Sequence, residues 1–324
     1  MVLFITEQGS RITKQGRVLM VSKNGKKIFM YPMEGVARLV IMGRVEISTA
    51  MLGLLMQSGI DTVLLRRDGR YKGRIVGQTS KNIFLREIQF RQRDKAVFCL
   101  KFSRALITAK IRNSRNLLRR QQRPAYEDVR QRIENALKSV KRAPGLSALR
   151  GFEGRFAALY FRLYPGLLSN DFGFKKRIKH PPTDPVNVLL SFGYTLLFNS
   201  LYSLIETAGL DPFAGFFHQG SYGHPALVSD LMEPYRAPLI DQLIIQLIKK
   251  EIITENSFLM VEKQLRFEES ALKAFVTAYQ QKLMRRYTFD RHKETLWRIL
   301  EKDVRQFCRL LKGEIDEYQP FIFR

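Results

Sequence analysis

Chemistry concentrates in one stretch, Gly215-Phe-Phe-His218-Gln-Gly-Ser-Tyr-Gly-His224-Pro-Ala-Leu-Val-Ser-Asp230-Leu-Met-Glu233-Pro-Tyr-Arg236, which holds a histidine, two carboxylates and an arginine in about twenty residues. His218 lies among glycine and apolar residues, the composition of a buried loop. Asp230 and Glu233 are three apart, a spacing that puts both on one face of a helix. Pro225 suits the first turn of that helix, and Pro234 and Pro238 end or kink it because each removes a backbone donor. Two carboxylates beside an imidazole repel each other unless a cation or a proton lies between them. A hard divalent ion is the simplest remedy.

A third carboxylate has a similar setting. Leu149, Glu153, Phe156, Tyr160 and Leu163 recur at helical spacing, so Glu153 falls on an apolar stripe. A carboxylate buried there must be paired or hold a metal; otherwise Glu153 sits at the helix edge and reaches solvent or an arginine. Periodicity leaves both readings open. Around these acids stand cations suited to a phosphate: Arg236, one turn from Glu233, and Arg177 and Lys179 in the basic loop Lys175 to His180. His224 and His292 lack a metal-like setting and are expected at the surface.

The elements that must carry these residues follow from periodicity and turn chemistry. Residues 1–80 read as a small β-domain, with strands at Leu3–Thr6, Arg17–Val21, Lys27–Tyr31, Leu39–Met42 and Thr62–Leu65. Gln15-Gly16, Asn24-Gly25 and Asp68-Gly69 supply its turns. One helix interrupts it, from Ser48 as N-cap to Gln57, with Gly59 just past its end. Residues 81–324 read as a larger all-α domain, giving an α+β multidomain chain. From Phe84 to Gln122 there is almost no glycine or proline. After Pro144-Gly145 a helix starts at Leu146. Asp184 and Pro185 cap a nearly apolar helix, Val186 to Thr207, closed by Gly209. Asn187, Tyr194 and Asn199 within it are expected as hydrogen-bonded core groups, Tyr194 being also a candidate nucleic-acid contact. Ser257–Phe267 reads as an extended or irregular insertion, and Ser270–Arg286 and Asp290–Lys312 as amphipathic helices.

Charge points to the partner. The chain of 324 residues carries a net charge of +25, which favours a polyanion, nucleic acid before a membrane surface. Residues 81–150 hold 19 Lys and Arg against 5 Asp and Glu. The run Arg112, Arg115, Arg119, Arg120, Arg123 can follow a phosphate backbone or form a solvated helix face. Lys282, Arg285, Arg286, Arg291 and His292 form a second basic patch. The two cysteines, Cys99 and Cys308, make no CxxC, which disfavours a zinc site or a disulfide framework. No long unbroken apolar run suggests a membrane span and no secretory signal is seen, so a reducing cytoplasm is the expected location. P-loop, GxGxxG, GxSxG and HExxH patterns are missing from the sequence.

Taken in order, Leu-Arg-Gly-Phe-Glu153-Gly, Pro-Pro-Thr-Asp-Pro-Val-Asn187, Leu-Ser-Phe-Gly-Tyr194-Thr-Leu-Leu, Gly-Phe-Phe-His218 and Ser-Asp230-Leu-Met-Glu233-Pro-Tyr-Arg236 resemble the CRISPR-associated integrase family of spacer acquisition, metal-dependent DNA endonucleases. Gln8-Gly9-Ser and Ile-Met-Gly43-Arg-Val-Glu-Ile-Ser are similar to its β-domain. The resemblance implies that Glu153, His218 and Glu233 hold Mg²⁺ or Mn²⁺, with Asp230 as an accessory acid. It implies attack by a DNA 3′-OH on a phosphodiester, with protospacer and CRISPR repeat as double-stranded DNA partners. It also implies a homodimer bridged by a small ferredoxin-like partner protein. Two readings compete with it: a nonspecific repair nuclease using the same metal site, and a basic DNA-binding scaffold in which Glu153, His218 and Glu233 are a hydrogen-bonded core.

Overall fold

In a computed structural model, the structure describes residues 2–67, 69, 71–75, 77, 83–121, 123–178, 181–218, 222–261, 264–289 and 292–323. Lys179, His180, Asp68, Asp290 and Arg291 lie outside the described residues. The contacts divide the chain into one unit of Met1–Thr79 with Lys273–Met284, and a second of Ser80–Leu272 with Arg285–Arg324. A split at residue 80 would have put Lys273–Met284 with the helical region instead.

The first unit is β-rich. Strands β1 (Val2–Ile5), β2 (Ser10–Gln15), β3 (Val18–Lys23), β4 (Lys26–Pro32), β5 (Arg38–Met42) and β6 (Val45–Ile47) precede helix α1 (Thr49–Gln57), and β7 (Asp61–Leu65) and β8 (Tyr71–Ile75) follow it. They form one sheet in the order β1-β5-β7-β8 and another in the order β4-β3-β2-β6. The β3–β4 hairpin turns at Asn24-Gly25, whose φ angles of 51° and 74° are the double positive pair that a type I′ turn needs. Ser48 caps α1 by accepting the Met51 N–H, and Gly59 follows at φ 63°. Ile12, Leu19, Leu39, Met51 and Leu55 fill the core. Strands β2, β6 and β8 were missed by the sequence reading; β2 and β8 are polar along much of their length.

A buried ion pair sits in the first sheet. Arg38 and Asp61 face each other across the parallel β5–β7 ladder, with Arg38 Nε 3.0 Å from Asp61 Oδ2 and the Arg38 side chain 1% exposed. Arg74 of β8 pairs with the other Asp61 oxygen.

The second unit is mostly helical. Its helices are α2 (Ile83–Arg93), α3 (Ala96–Gln121), α4 (Arg123–Lys141), α5 (Leu146–Leu163), α6 (Pro185–Thr207), α7 (Ala226–Met232) and α8 (Gln242–Lys249). Strands β9 (Phe258–Val261) and β10 (Gln264–Phe267) come before α9 (Glu269–Met284), which passes into the first unit at Lys273. Strands β11 (Arg286–Phe289) and β12 (His292–Thr295) lead into α10 (Leu296–Leu311). The all-α expectation for residues 81–324 is therefore corrected by two antiparallel hairpins. In the first, the end pair Phe258 and Phe267 stack at 5.5 Å, a cross-strand contact that a helix over the same short run would not make. In the second, α10 begins at its N-cap Thr295, which accepts the Arg298 N–H, and not at Asp290. Lys282 is buried, so it does not join the expected basic patch.

Helix α6 is buried on nearly every side, as its apolar composition requires. By length and composition it could cross a membrane, yet 72% of that window is buried inside the fold. Asp184 caps it by accepting the Asn187 N–H at 2.8 Å. Phe102 of α3, Phe307 of α10 and Phe216 form an aromatic cluster with centroids 4.6 to 5.5 Å apart. This cluster anchors the loop two residues before His218.

The buried pair gives a stability test. Asp61→Ala should lower the unfolding free energy in urea by about 3–5 kcal/mol, because the buried Arg38 guanidinium loses the carboxylate it pairs with across the ladder. Glu46→Ala, which breaks the exposed pair with Arg11 at 3.9 Å, should cost no more than about 1 kcal/mol. Equal losses would show that burial of Arg38 is not what makes Asp61 matter.

Candidate active site

Four elements of the helical unit converge on one cavity of about 590 Å³. Helix α3 contributes Lys110 and α5 contributes Glu153 and Tyr160. Tyr194 comes from α6, and the segment after α7 contributes Glu233, Arg236 and Asp241. His218 and the loop residues Lys175, Lys176 and Arg177 complete its wall. The structure thus brings Glu153, His218, Glu233, Arg177, Arg236 and Tyr194 together. Asp230 is not on the wall, and Lys179 lies outside the described residues.

The His218 loop is held from three sides. The Gln89 amide donates to the carbonyls of Asp211 and Ala214, and its oxygen accepts the Asp211 N–H. Arg150 donates twice to the Phe217 carbonyl. Asp230, fully buried, accepts the N–H groups of Phe216, Phe217 and His218 at 2.7 to 3.0 Å. Its Oδ1 also lies 2.8 Å from His218 Nδ1. A carboxylate at that contact accepts a hydrogen bond from the ring proton on Nδ1 and leaves the Nε2 lone pair facing outward, the usual arrangement behind a metal-binding histidine. Gly215 is obligatory here, since a Cβ would lie 2.7 Å from the Ala226 backbone and 2.8 Å from the His218 carbonyl.

Glu233 is placed by broken helix geometry. After α7, Pro234 starts a 3₁₀ turn, Glu233–Tyr235, and a π-helical segment, Arg236–Asp241, follows around Pro238. The wide π turn keeps both Arg236 and Asp241 on the cavity. Asn113 of α3 donates to the Pro234 carbonyl at 2.8 Å, and the Tyr235 hydroxyl donates to Asp303 of α10 at 2.9 Å. Both fix the backbone on which Glu233 sits.

The two glutamates share one cation. The Lys110 ammonium hydrogen-bonds Glu153 and lies at an ion-pair distance of 2.6 Å from Glu233 Oε2. Arg236 Nε is 3.1 Å from the other Glu233 oxygen, and its guanidinium stacks on Tyr194 at 4.8 Å. Burial alone would raise the Glu233 carboxyl; Arg236 and then Lys110 overcome it and hold the pKa at about 2. The two-carboxylates-on-one-face picture therefore resolves differently from expectation: Asp230 is hydrogen-bonded by loop amides and His218, while Glu233 is paired with cations. Among the described residues no group of three His, Cys, Asp or Glu side chains is assembled as a metal cluster. The donor set still suits a divalent ion, because two carboxylates already converge on one positive charge beside an imidazole with a fixed tautomer.

Asp241 is the wall's third carboxylate. Its two oxygens accept the hydroxyls of Tyr194 and Tyr160 at 2.6 and 2.7 Å. Burial pushes its pKa up to about 6, against the opposing effect of those hydroxyls and of Arg236 and Arg177. Arg177 is largely engaged, donating to Asn187 and Ser191, whereas Arg162, Lys175 and Lys176 line the cavity with exposed side chains. Lys110 and Asp241 were missed in the sequence. The signal for Lys110 was its place on the α3 stripe, four residues after Leu106 and three before Asn113.

Two outcomes test this geometry. Asp230→Asn should destabilise the protein by about 2–4 kcal/mol, since an amide nitrogen would face backbone N–H donors; a melt matching the wild type would remove Asp230 as the loop's anchor. Because Asp241 has a raised pKa in the folded state, its contribution is full below about pH 4 and is lost as pH rises through about 6. Wild-type stability should therefore fall relative to Asp241→Asn across that window in denaturation curves, and parallel curves would contradict the buried, partly neutral carboxyl.

The chain as a whole has relatives among known proteins. The sequence profile of CRISPR associated protein Cas1 matches residues 3–281. CRISPR-associated endonuclease Cas1 3 of Thermus thermophilus is 34% identical over 327 residues, covering 100% of this chain and 97% of that protein. A chain of a Cas6-RT-Cas1–Cas2 complex superposes with a TM-score of 0.83 at 25% identity over 99% of this chain, which spans 36% of that longer chain. A casposase bound to integration product shares the fold, with a TM-score of 0.85 at 19% identity over 100% of this chain and 94% of that one. With a profile match over most of its length and a full-length relative above three-tenths identity, the chain belongs to the Cas1 family of CRISPR-associated proteins.

Proposed function

We propose that this chain is a metal-dependent DNA endonuclease and integrase that inserts spacers into a CRISPR array. The observation that carries the reading is the convergence of the Glu153 and Glu233 carboxylates on a single cation in the cavity that His218 also lines. Relatives are named CRISPR-associated endonucleases, and a structural neighbour is a casposase bound to its integration product.

Glu153, Glu233 and His218 would hold the ion, and Mn²⁺ accepts an imidazole more readily than Mg²⁺ does. When bound, the ion supplies Lewis-acid polarisation of the phosphodiester and lowers the pKa of the attacking hydroxyl. Asp230 keeps the proton on Nδ1 of His218 and so presents the Nε2 lone pair. Arg236, stacked on Tyr194, stands ready to offset charge on a phosphate oxygen. Arg162, Lys175 and Lys176 offer exposed cations to the DNA backbone, a role assigned to these residues ahead of the engaged Arg177. Lys179 stays a candidate by its place in the same loop. The nucleophile is the DNA 3′-OH in integration and water in cleavage, so no side-chain nucleophile is required.

Double-stranded DNA is the substrate, as protospacer and as CRISPR repeat. A second copy of this chain and a small ferredoxin-like protein complete the working assembly; a solved complex named for Cas1 and Cas2 together supports a protein partner.

Glu153→Gln, His218→Ala and Glu233→Gln should each reduce strand joining and cleavage in Mn²⁺ by at least about 100-fold, while each variant still shifts duplex DNA in a gel. Product analysis distinguishes joined strands from shortened ones. Retained joining in Glu153→Gln would make Glu153 structural and remove the metal-site reading.

A further inference from the structure

The ligands proposed above are already in contact with a positive charge that belongs to the chain. Lys110 leaves α3 on its buried side, among Leu106, Ile107, Asn113 and Ser114, and only 13% of its side chain is exposed. It is not a surface lysine that settles on whatever acid is near. Its ammonium bridges a carboxylate of α5 and one from the segment after α7. Burial would lower its pKa, but Glu233 and Glu153 outweigh that and keep the ammonium charged. With Arg236 on the far Glu233 oxygen, two anions and two cations make the cluster electrically balanced as it stands.

We propose that Lys110 is the resident counter-cation of the divalent-ion site: it holds Glu153 and Glu233 together in the metal-free protein and must withdraw for an ion to be shared by both. The inference rests on the ligand assignment under Proposed function. Two cations cannot occupy the space between the same two carboxylates, because their mutual repulsion in a partly dry cavity is poorly screened. Of the two basic groups on the cluster, Lys110 is the one built to move. An ammonium on a four-carbon stem reorients about freely rotating bonds, whereas the Arg236 guanidinium is pinned by its stack on Tyr194. The cavity has room for the displaced ammonium, and Ser114, one turn further along α3, lines it as well. Lys110 thereby keeps two buried carboxylates from repelling each other when metal is scarce. The same contact weakens the metal's affinity, since binding must break both ion pairs.

The test uses the purified full-length protein stripped of metal, at one fixed pH. Lys110→Met removes the charge and keeps the length of the side chain. Its melting temperature in EDTA should fall below the wild-type value, and calorimetric titration should show Mn²⁺ binding tighter by about tenfold or more. The metal-induced rise in melting temperature should likewise exceed that of the wild type. Mn²⁺ affinity equal to or weaker than wild type in Lys110→Met, with wild type binding Mn²⁺ and Glu153→Gln not, overturns the role of Lys110 while leaving the ligand set intact. Absence of Mn²⁺ binding in the wild type itself overturns the ligand set and this inference with it. If Lys110→Met does not fold, amine footprinting of the wild type decides: acetylation of Lys110, read by mass spectrometry, should increase on saturation with Mn²⁺. Unchanged Lys110 acetylation while Mn²⁺ raises the melting temperature would overturn the proposal.

Discussion

Glu233 is a buried carboxylate pressed between Lys110 and Arg236, and the geometry of the cavity depends on that balance. An ionised carboxylate loses several kcal/mol of hydration on burial unless charge or hydrogen bonds replace it. The helical unit meets the demand differently at each of its buried acids. Glu233 has two cations and a pKa of about 2. Asp230 has three backbone amides and His218 Nδ1. Asp241 has two tyrosine hydroxyls and is pushed up to about 6. Asp303, which accepts the Tyr235 hydroxyl, is pushed up by burial to about 7. Glu233 and Asp303 thus lie on opposite sides of the ordinary carboxylate range, and the partners around each decide where it falls.

These choices serve different parts of the site. The anion with cation partners sits where a metal or phosphate would exchange with them. The anion with amide partners acts as a backbone clamp, accepting three successive N–H groups of the His218 loop. The acids with tyrosine partners tie α5 and α6 to the π-helical segment, and α10 to the Glu233 turn, without adding full charge to the interior. Breaks in helix geometry make this possible. Pro234 and Pro238 interrupt a regular helix, so that Glu233, Arg236 and Asp241 all reach one cavity.

Much of the scaffold was legible from short-range chemistry. The span Leu146–Leu163, the cap at Asp184 with Pro185, the Ser48 cap and the Asn24-Gly25 turn depend on residues within a few positions of one another, so the sequence displays them directly. Strands with polar composition, such as β2 and β8, carry no such signal. Strand β12 was read as the start of the helix Asp290–Lys312 because it adjoins the strongly amphipathic α10.

At the site, the sequence by itself singled out residues that the fold brings onto one cavity: Glu153 on an apolar stripe, His218 in a glycine-flanked loop, Glu233 and Arg236 around the prolines. It could not divide labour between Asp230 and Glu233. Their spacing put them on one face, but only the tertiary structure turns one toward the loop amides and the other toward Lys110. Nor did it reveal Lys110 or Asp241, which lie 43 and 88 residues from Glu153 in sequence. A lysine or aspartate in an apolar run announces a buried charge without naming its partner. That pairing is decided by which helices pack together, because a charge in a low-dielectric interior is stabilised by whatever stands within a few ångströms, however distant it is along the chain.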